Sequence, residues 1–171
     1  TAAFPDNADF YLQGFITGTG TVSKTGAAKT QINEACDFVG DVVCNNGKMI
    51  FASATAGASN NTVTVNGGSF ALYPPGYGTS ETATRIKTLH GTGALYLPKL
   101  QTMTVDYLDG SLTVDGAGAS LYIKTLGTNA SLSFINQTAV TIDTVAPGAS
   151  LTLAGADTPL TVTGKDQTLD C

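Results

Sequence analysis

The phrase Ser111-Leu112-Thr113-Val114 returns as Ser131-Leu132-Ser133-Phe134 and again as Ser150-Leu151-Thr152-Leu153, with starts 20 and 19 residues apart. A period near 20 built from short alternating apolar runs is the signature of a stacked β-solenoid. One coil cannot bury its own inner face, so each must take its core from its neighbours. The expected fold is therefore all-β, a right-handed parallel β-helix. A β-sandwich or jelly roll is the alternative, since it too places turns every 8–12 residues, but it gives no reason for the same phrase to recur on every second strand.

The rest of the chain is consistent with one domain spanning 1–171. Residues 1–36 read as an extended N-terminal region followed by a cap. Ala27, Ala28, Ile32 and Ala35 recur at helical spacing with Thr25 as N-cap, which predicts a short capping helix between Lys24 and Cys36. Coils are expected over 37–164. Strands are predicted near 38–43, 48–51, 62–65 and 69–73, then at 84–88, 94–97, 102–107, 111–114, 120–125, 131–135, 139–144, 150–153 and 160–163. Corners fall at Gly91, Gly110, Gly116, Gly127, Gly148 and Gly155, and Pro74-Pro75-Gly76-Tyr77-Gly78 reads as a loop. Residues 165–171 form a terminal tail.

Only 12% of residues are charged, and the net charge is −5. The eight basic residues are scattered, so the phosphate-binding cluster of a nucleic-acid partner is missing. No apolar run reaches the ~18–20 residues of a membrane span. The chain opens on Thr1 and carries three Asn-x-Ser/Thr sequons, at Asn60, Asn129 and Asn136, which suggests a mature secreted glycoprotein with its targeting segment removed. Three cysteines leave one unpaired. Cys36 and Cys44 close the shorter loop and are the expected disulfide. Cys171, at the far end of a rod, is out of their reach and is expected to be free or linked to another chain.

Ile32-Asn33-Glu34-Ala35-Cys36-Asp37-Phe38-Val39-Gly40-Asp41-Val42 resembles the entry into receptor L-domain-like solenoids, where a short helix leads to a Cys and a Val-Gly-Asp step opens the first inner strand. Asn129-Ala130-Ser131-Leu132-Ser133-Phe134-Ile135-Asn136-Gln137-Thr138 is similar to repeats of the fungal GPI-anchored cell-wall proteins built on that scaffold. Leu97-Pro98-Lys99-Leu100-Gln101-Thr102 looks like their Leu-Pro-x-Leu corner. The likeness covers 36–46 and 94–164, and the Ser-rich stalk and apolar anchoring tail of that group are absent from this sequence. It implies an extracellular wall or surface protein, with no catalytic residues to carry over.

Catalytic patterns are fragmentary. Arg85-Ile86-Lys87 followed by His90-Gly91 resembles part of the pectin-hydrolysing β-helix site. The paired carboxylates that must protonate the leaving oxygen and activate water are missing, and the order of His and Arg is reversed. No Gly-x-Ser-x-Gly elbow or phosphate-binding Gly loop occurs. Asp106, Asp109 and Asp115 could approach one another within a coil as calcium ligands, although Asp is also a common turn residue. No metal or other cofactor is expected. Tyr73, Tyr77, Tyr96, Tyr107 and Tyr122 would stack on sugar rings if they faced outward in one row. Thr62-Val63-Thr64, Thr102-Met103-Thr104 and Thr161-Val162-Thr163 raise the option of an ice-binding face.

These features favour a non-catalytic structural or adhesive surface protein that contacts itself or cell-wall polysaccharide. A carbohydrate-binding module or secreted effector, and an ice-binding β-helix, are the alternatives.

Overall fold

A computed structural model describes residues 2–3, 8–34, 36–52, 61–74, 79–136, 138–149, 153–155 and 159–164. One sheet has nine strands: β1 (Ala2–Ala3), β3 (Ile16–Lys24), β5 (Cys36–Cys44), β7 (Thr62–Val65), β9 (Thr82–Gly91), β11 (Gln101–Leu108), β13 (Ala119–Leu126), β15 (Thr138–Val145) and β17 (Leu160–Val162). The other has eight: β2 (Phe10–Leu12), β4 (Lys29–Ile32), β6 (Lys48–Phe51), β8 (Ser69–Leu72), β10 (Ala94–Tyr96), β12 (Ser111–Asp115), β14 (Ser131–Phe134) and β16 (Leu153–Gly155). Odd-numbered strands make the first sheet and even-numbered strands the second. Every pairing is parallel. The chain thus winds between two faces and advances one strand per face per coil, which is the parallel β-solenoid that the repeat predicts.

Parallel pairing in constant register stacks like on like. Val22, Val42, Val63, Leu89, Leu108, Leu126 and Val145 are successive register partners along the first sheet. All seven are buried. Met49, Phe70, Leu95, Val114 and Phe134 form the facing ladder on the second sheet. At strand spacings of ~4.8 Å, each buried side chain touches the equivalents above and below it.

The repeated phrase is only partly in step. Ser111-Leu112-Thr113-Val114 pairs residue for residue with Ser131-Leu132-Ser133-Phe134. In the next coil, Leu132 meets Leu153, where the phrase predicts Leu151. A shift of two residues keeps a leucine on the same face, because side chains alternate with period two.

The capping helix is overturned: there is no helix among the described residues. Residues 29–32 are the strand β4, with Thr30 and Ile32 buried and Lys29 and Gln31 less so. β4 pairs with β2 on one side and β6 on the other. Two parallel neighbours outweigh the weak helical preference of an isolated Ala-rich stretch.

The corners depend on glycine where consecutive coils touch. Gly91 has φ +114°, and a Cβ there would sit 2.2 Å from the Val65 carbonyl oxygen. Gly110, on the next coil, has φ +101°, and its Cβ would sit 2.4 Å from the Gly91 oxygen. Side chains are excluded both by the left-handed backbone and by the coil beneath. Gly91→Ala is accordingly expected to lower stability by about 1–3 kcal/mol. Gly14→Ala, where an added Cβ meets nothing within 4 Å, should stay within about 0.5 kcal/mol of the parent. Urea denaturation of the two variants measures the difference.

Candidate functional site

On the long strands of the nine-stranded sheet, Ile86, Val105, Ile123 and Ile142 point inward and are register partners. Alternation turns the residues beside them outward, so Arg85, Thr104, Tyr122 and Thr141 form one outer row. Asp106 is the hub of this face. Its carboxylate accepts from the Arg85 guanidinium, with Nε at 3.0 and 3.1 Å from the two oxygens, and it pairs with the Lys124 Nζ at 2.8 Å. The Arg85 hydrogen bonds, with help from Lys124, hold the Asp106 carboxyl below the usual carboxylate range against a smaller opposing effect of burial. Tyr122 hydrogen-bonds Asp143, and Thr163 Oγ1 donates to the Asp143 carboxylate at 3.0 Å. Burial and the nearby Asp143 charge raise the Tyr122 phenol.

Two residues of the Arg85-Ile86-Lys87 and His90 fragment make coil-to-coil contacts. Arg85 is locked to Asp106, while His90 lies edge-on to Tyr107, with ring centroids 6.4 Å apart. The three aspartates do not converge. Asp106 belongs to the outer face just described. Asp109 accepts from the backbone N–H groups of Gly110 and Asn129 at a corner. Asp115, at the end of β12, accepts from Asn136 Nδ2 at 2.5 Å. Among the described residues, no group of three or more His, Cys, Asp or Glu is placed to hold a metal ion.

The tyrosines do not form one row. Tyr96 lies on the eight-stranded sheet, packed edge to face with Tyr73 at a centroid distance of 5.9 Å. Lys48 Nζ sits 4.6 Å from the Tyr96 ring centre and donates to the Tyr73 hydroxyl at 3.2 Å. Tyr107 and Tyr122 belong to the other sheet, and Tyr77 lies outside the described residues. The sequence reading missed Lys48 in this group, and also the neighbouring set in which Lys29 Nζ donates to the Tyr11 hydroxyl at 2.5 Å and pairs with Asp9 at 3.3 Å. The signal that finds such groups is an offset of about one coil: Asp106 follows Arg85 by 21 residues, and Lys29 follows Asp9 by 20.

The Thr-x-Thr pairs are not stacked either. The partners of Thr62 and Thr64 on β9 are Thr88 and His90. Those of Thr102 and Thr104 are Ala83 and Arg85 on one side, and Ser120 and Tyr122 on the other.

The expected Cys36–Cys44 disulfide is overturned. Both residues belong to the single strand β5, one at each end. Eight residues of parallel strand span roughly 26 Å, against the ~6 Å between Cα atoms that a disulfide needs. Cys44 is a free, buried thiol. Burial pushes it up, against a smaller opposing pull from Lys24, its buried register partner. Cys171 lies outside the described residues. Of the sequons, Asn129 is exposed at a turn, whereas Asn136 bonds Asp115 and the Thr138 hydroxyl is buried against the Gly116 carbonyl. Asn60 is outside the described residues.

No protein-family model, curated protein or solved structure matches this chain.

Two outcomes follow from these contacts. Cys44 should resist alkylation in the native protein and become labelled on unfolding, and peptide mapping should recover no Cys36–Cys44 linkage. A carboxyl with a lowered folded pKa contributes stability that is complete above its unfolded value, about 3.9, and is lost as pH falls through the folded one. Asp106→Asn should thus cost at most about 1 kcal/mol at neutral pH. The gap to the parent should close as the pH falls below about 4, as read by urea melts across the acid range.

Proposed function

We propose that this chain is a non-catalytic extracellular structural protein, a surface or cell-wall rod that associates end to end and meets wall polysaccharide along its sides. The observation that carries the reading is where the core is left open. The partly buried apolar residues packed against it are Phe10, Leu12 and Ile16 in the first coils and Ala146, Leu160 and Val162 in the last. Between these ends the ladders are fully buried. Three of the five large exposed apolar side chains among the described residues, Tyr11, Phe15 (72% exposed) and Val39 (54%), also gather at the N-terminal end. An uncovered terminal coil presents both apolar surface and strand edge, which together favour association.

The absence of a catalytic role is supported by the pairing of Arg85, Asp106, Lys124, Tyr122 and Asp143 with one another across coils. The extracellular setting is supported by the exposed Asn129 sequon and by the likeness of 129–138 and 97–102 to fungal wall-protein repeats. Sedimentation of the purified protein over a range of concentrations, with and without reductant, tests the proposal. The expected result is a series of larger species that grows with concentration and dissociates on dilution. A monodisperse monomer up to the solubility limit, or hydrolysis of a polysaccharide, would overturn it.

A further inference from the structure

The nine-stranded sheet does not end flush at its N-terminal side. β1 pairs only with Val22 and Ser23 of β3, so the edge of β3 over Ile16–Thr21 faces no strand among the described residues. This stretch contains Gly18 and Gly20, and an added Cβ at either would meet nothing within 4 Å. Gly18 is the register partner of Phe38, a core residue. At these two positions the strand carries no side chain. An open groove of about 290 Å³ lies along this edge, lined by Ile16, Thr17, Thr19, Gly20, Thr21, Val22 and Phe38. One water takes up ~30 Å³ in the liquid, so the space suits side chains and is larger than a packing defect.

At the opposite end of the same sheet lies β17, Leu160-Thr161-Val162, paired on one side with Val140, Thr141 and Ile142 of β15. Leu160 and Val162 alternate toward the core and remain only partly buried. One end of the sheet therefore has an open edge with glycine at two of its positions. The other end carries two partly buried apolar side chains on a strand that the edge can hold.

We infer that β17 of one copy pairs in parallel with the Ile16–Thr21 edge of a second copy, seating Leu160 and Val162 beside Gly18 and Gly20, where the edge has room for side chains. This rests on the self-association reading and specifies its joint. A second copy is the fitting occupant because both sheets end together. The end that presents β17 also presents β16, and the end that presents β3 also presents β2. A partner that continues both sheets at once must have this solenoid's own coil spacing. The contact joins unlike surfaces by translation along the axis, so it does not close, and it repeats into a filament.

Disulfide trapping tests the joint. Thr19→Cys and Thr161→Cys are prepared separately, mixed and mildly oxidised, and the cross-linked peptides are identified by mass spectrometry. The expected product joins position 19 of one chain to position 161 of another and forms in the mixture only. Leu160→Lys is expected to weaken association roughly tenfold to a hundredfold, the change that corresponds to one buried leucine, with an unchanged far-UV spectrum. If that variant fails to fold, the cross-link alone decides. Larger species that yield only 19–19 or 161–161 links would overturn this joint while leaving self-association standing. A protein that stays monomeric throughout would overturn both.

Discussion

Everything in this molecule follows from parallel strands returning to the same register once per coil. A parallel ladder fixes neighbouring strands ~4.8 Å apart and allows no sideways slip without turning a core residue outward. A residue chosen on one coil therefore constrains its equivalents on the next. The ladder from Val22 to Val145 contains only Val and Leu, so each apolar side chain meets one of similar size on the neighbouring coil. The rule extends to the backbone, where Gly91 and Gly110 leave room for the carbonyl of the preceding coil.

The same geometry organises the outer faces. A polar side chain on one coil finds a partner about 20 residues away on the neighbouring coil, either in register or one diagonal step along. Arg85–Asp106–Lys124 is one such set, and Asn66 Nδ2 donating to Asn45 Oδ1 at 2.8 Å is another. These contacts are individually modest in water, and they tie neighbouring coils together along the outer face of the stack.

Period-two alternation made most of the strands legible: those anticipated at 48–51, 62–65 and 131–135 are β6, β7 and β14 within a residue. The repeat also made the solenoid legible. Three misreadings share a physical cause, which is that local spacing was allowed to outweigh pairing with distant coils. The helical spacing of Ala27, Ala28 and Ile32 is real, yet residues 29–32 are held as a strand by β2 and β6. Cys36 and Cys44 are close in sequence, but an unbroken strand is the conformation that holds its ends farthest apart. Leu151 matched the phrase, whereas hydrogen bonding selects Leu153. The outer groups around Asp106 and Lys48 were invisible for a different reason: which residues face each other is set by coil length, and lengths vary from coil to coil.

End coils differ from all others in having one neighbour instead of two. In a stack whose stability is nearly a sum of nearest-neighbour terms, the terminal coils are the least stable part. Thr30, in an early coil, keeps a buried hydroxyl without a hydrogen-bond partner, and Gly18 and Gly20 leave open space along the groove at the edge of β3. Filling that groove with Leu160 and Val162 of a second copy would bury apolar surface where the isolated chain has least of it. Any partner that binds only the folded state stabilises it by mass action. The proposed joint therefore couples two properties: association adds stability at the ends of the stack, and an end that frays loses the groove on which association depends.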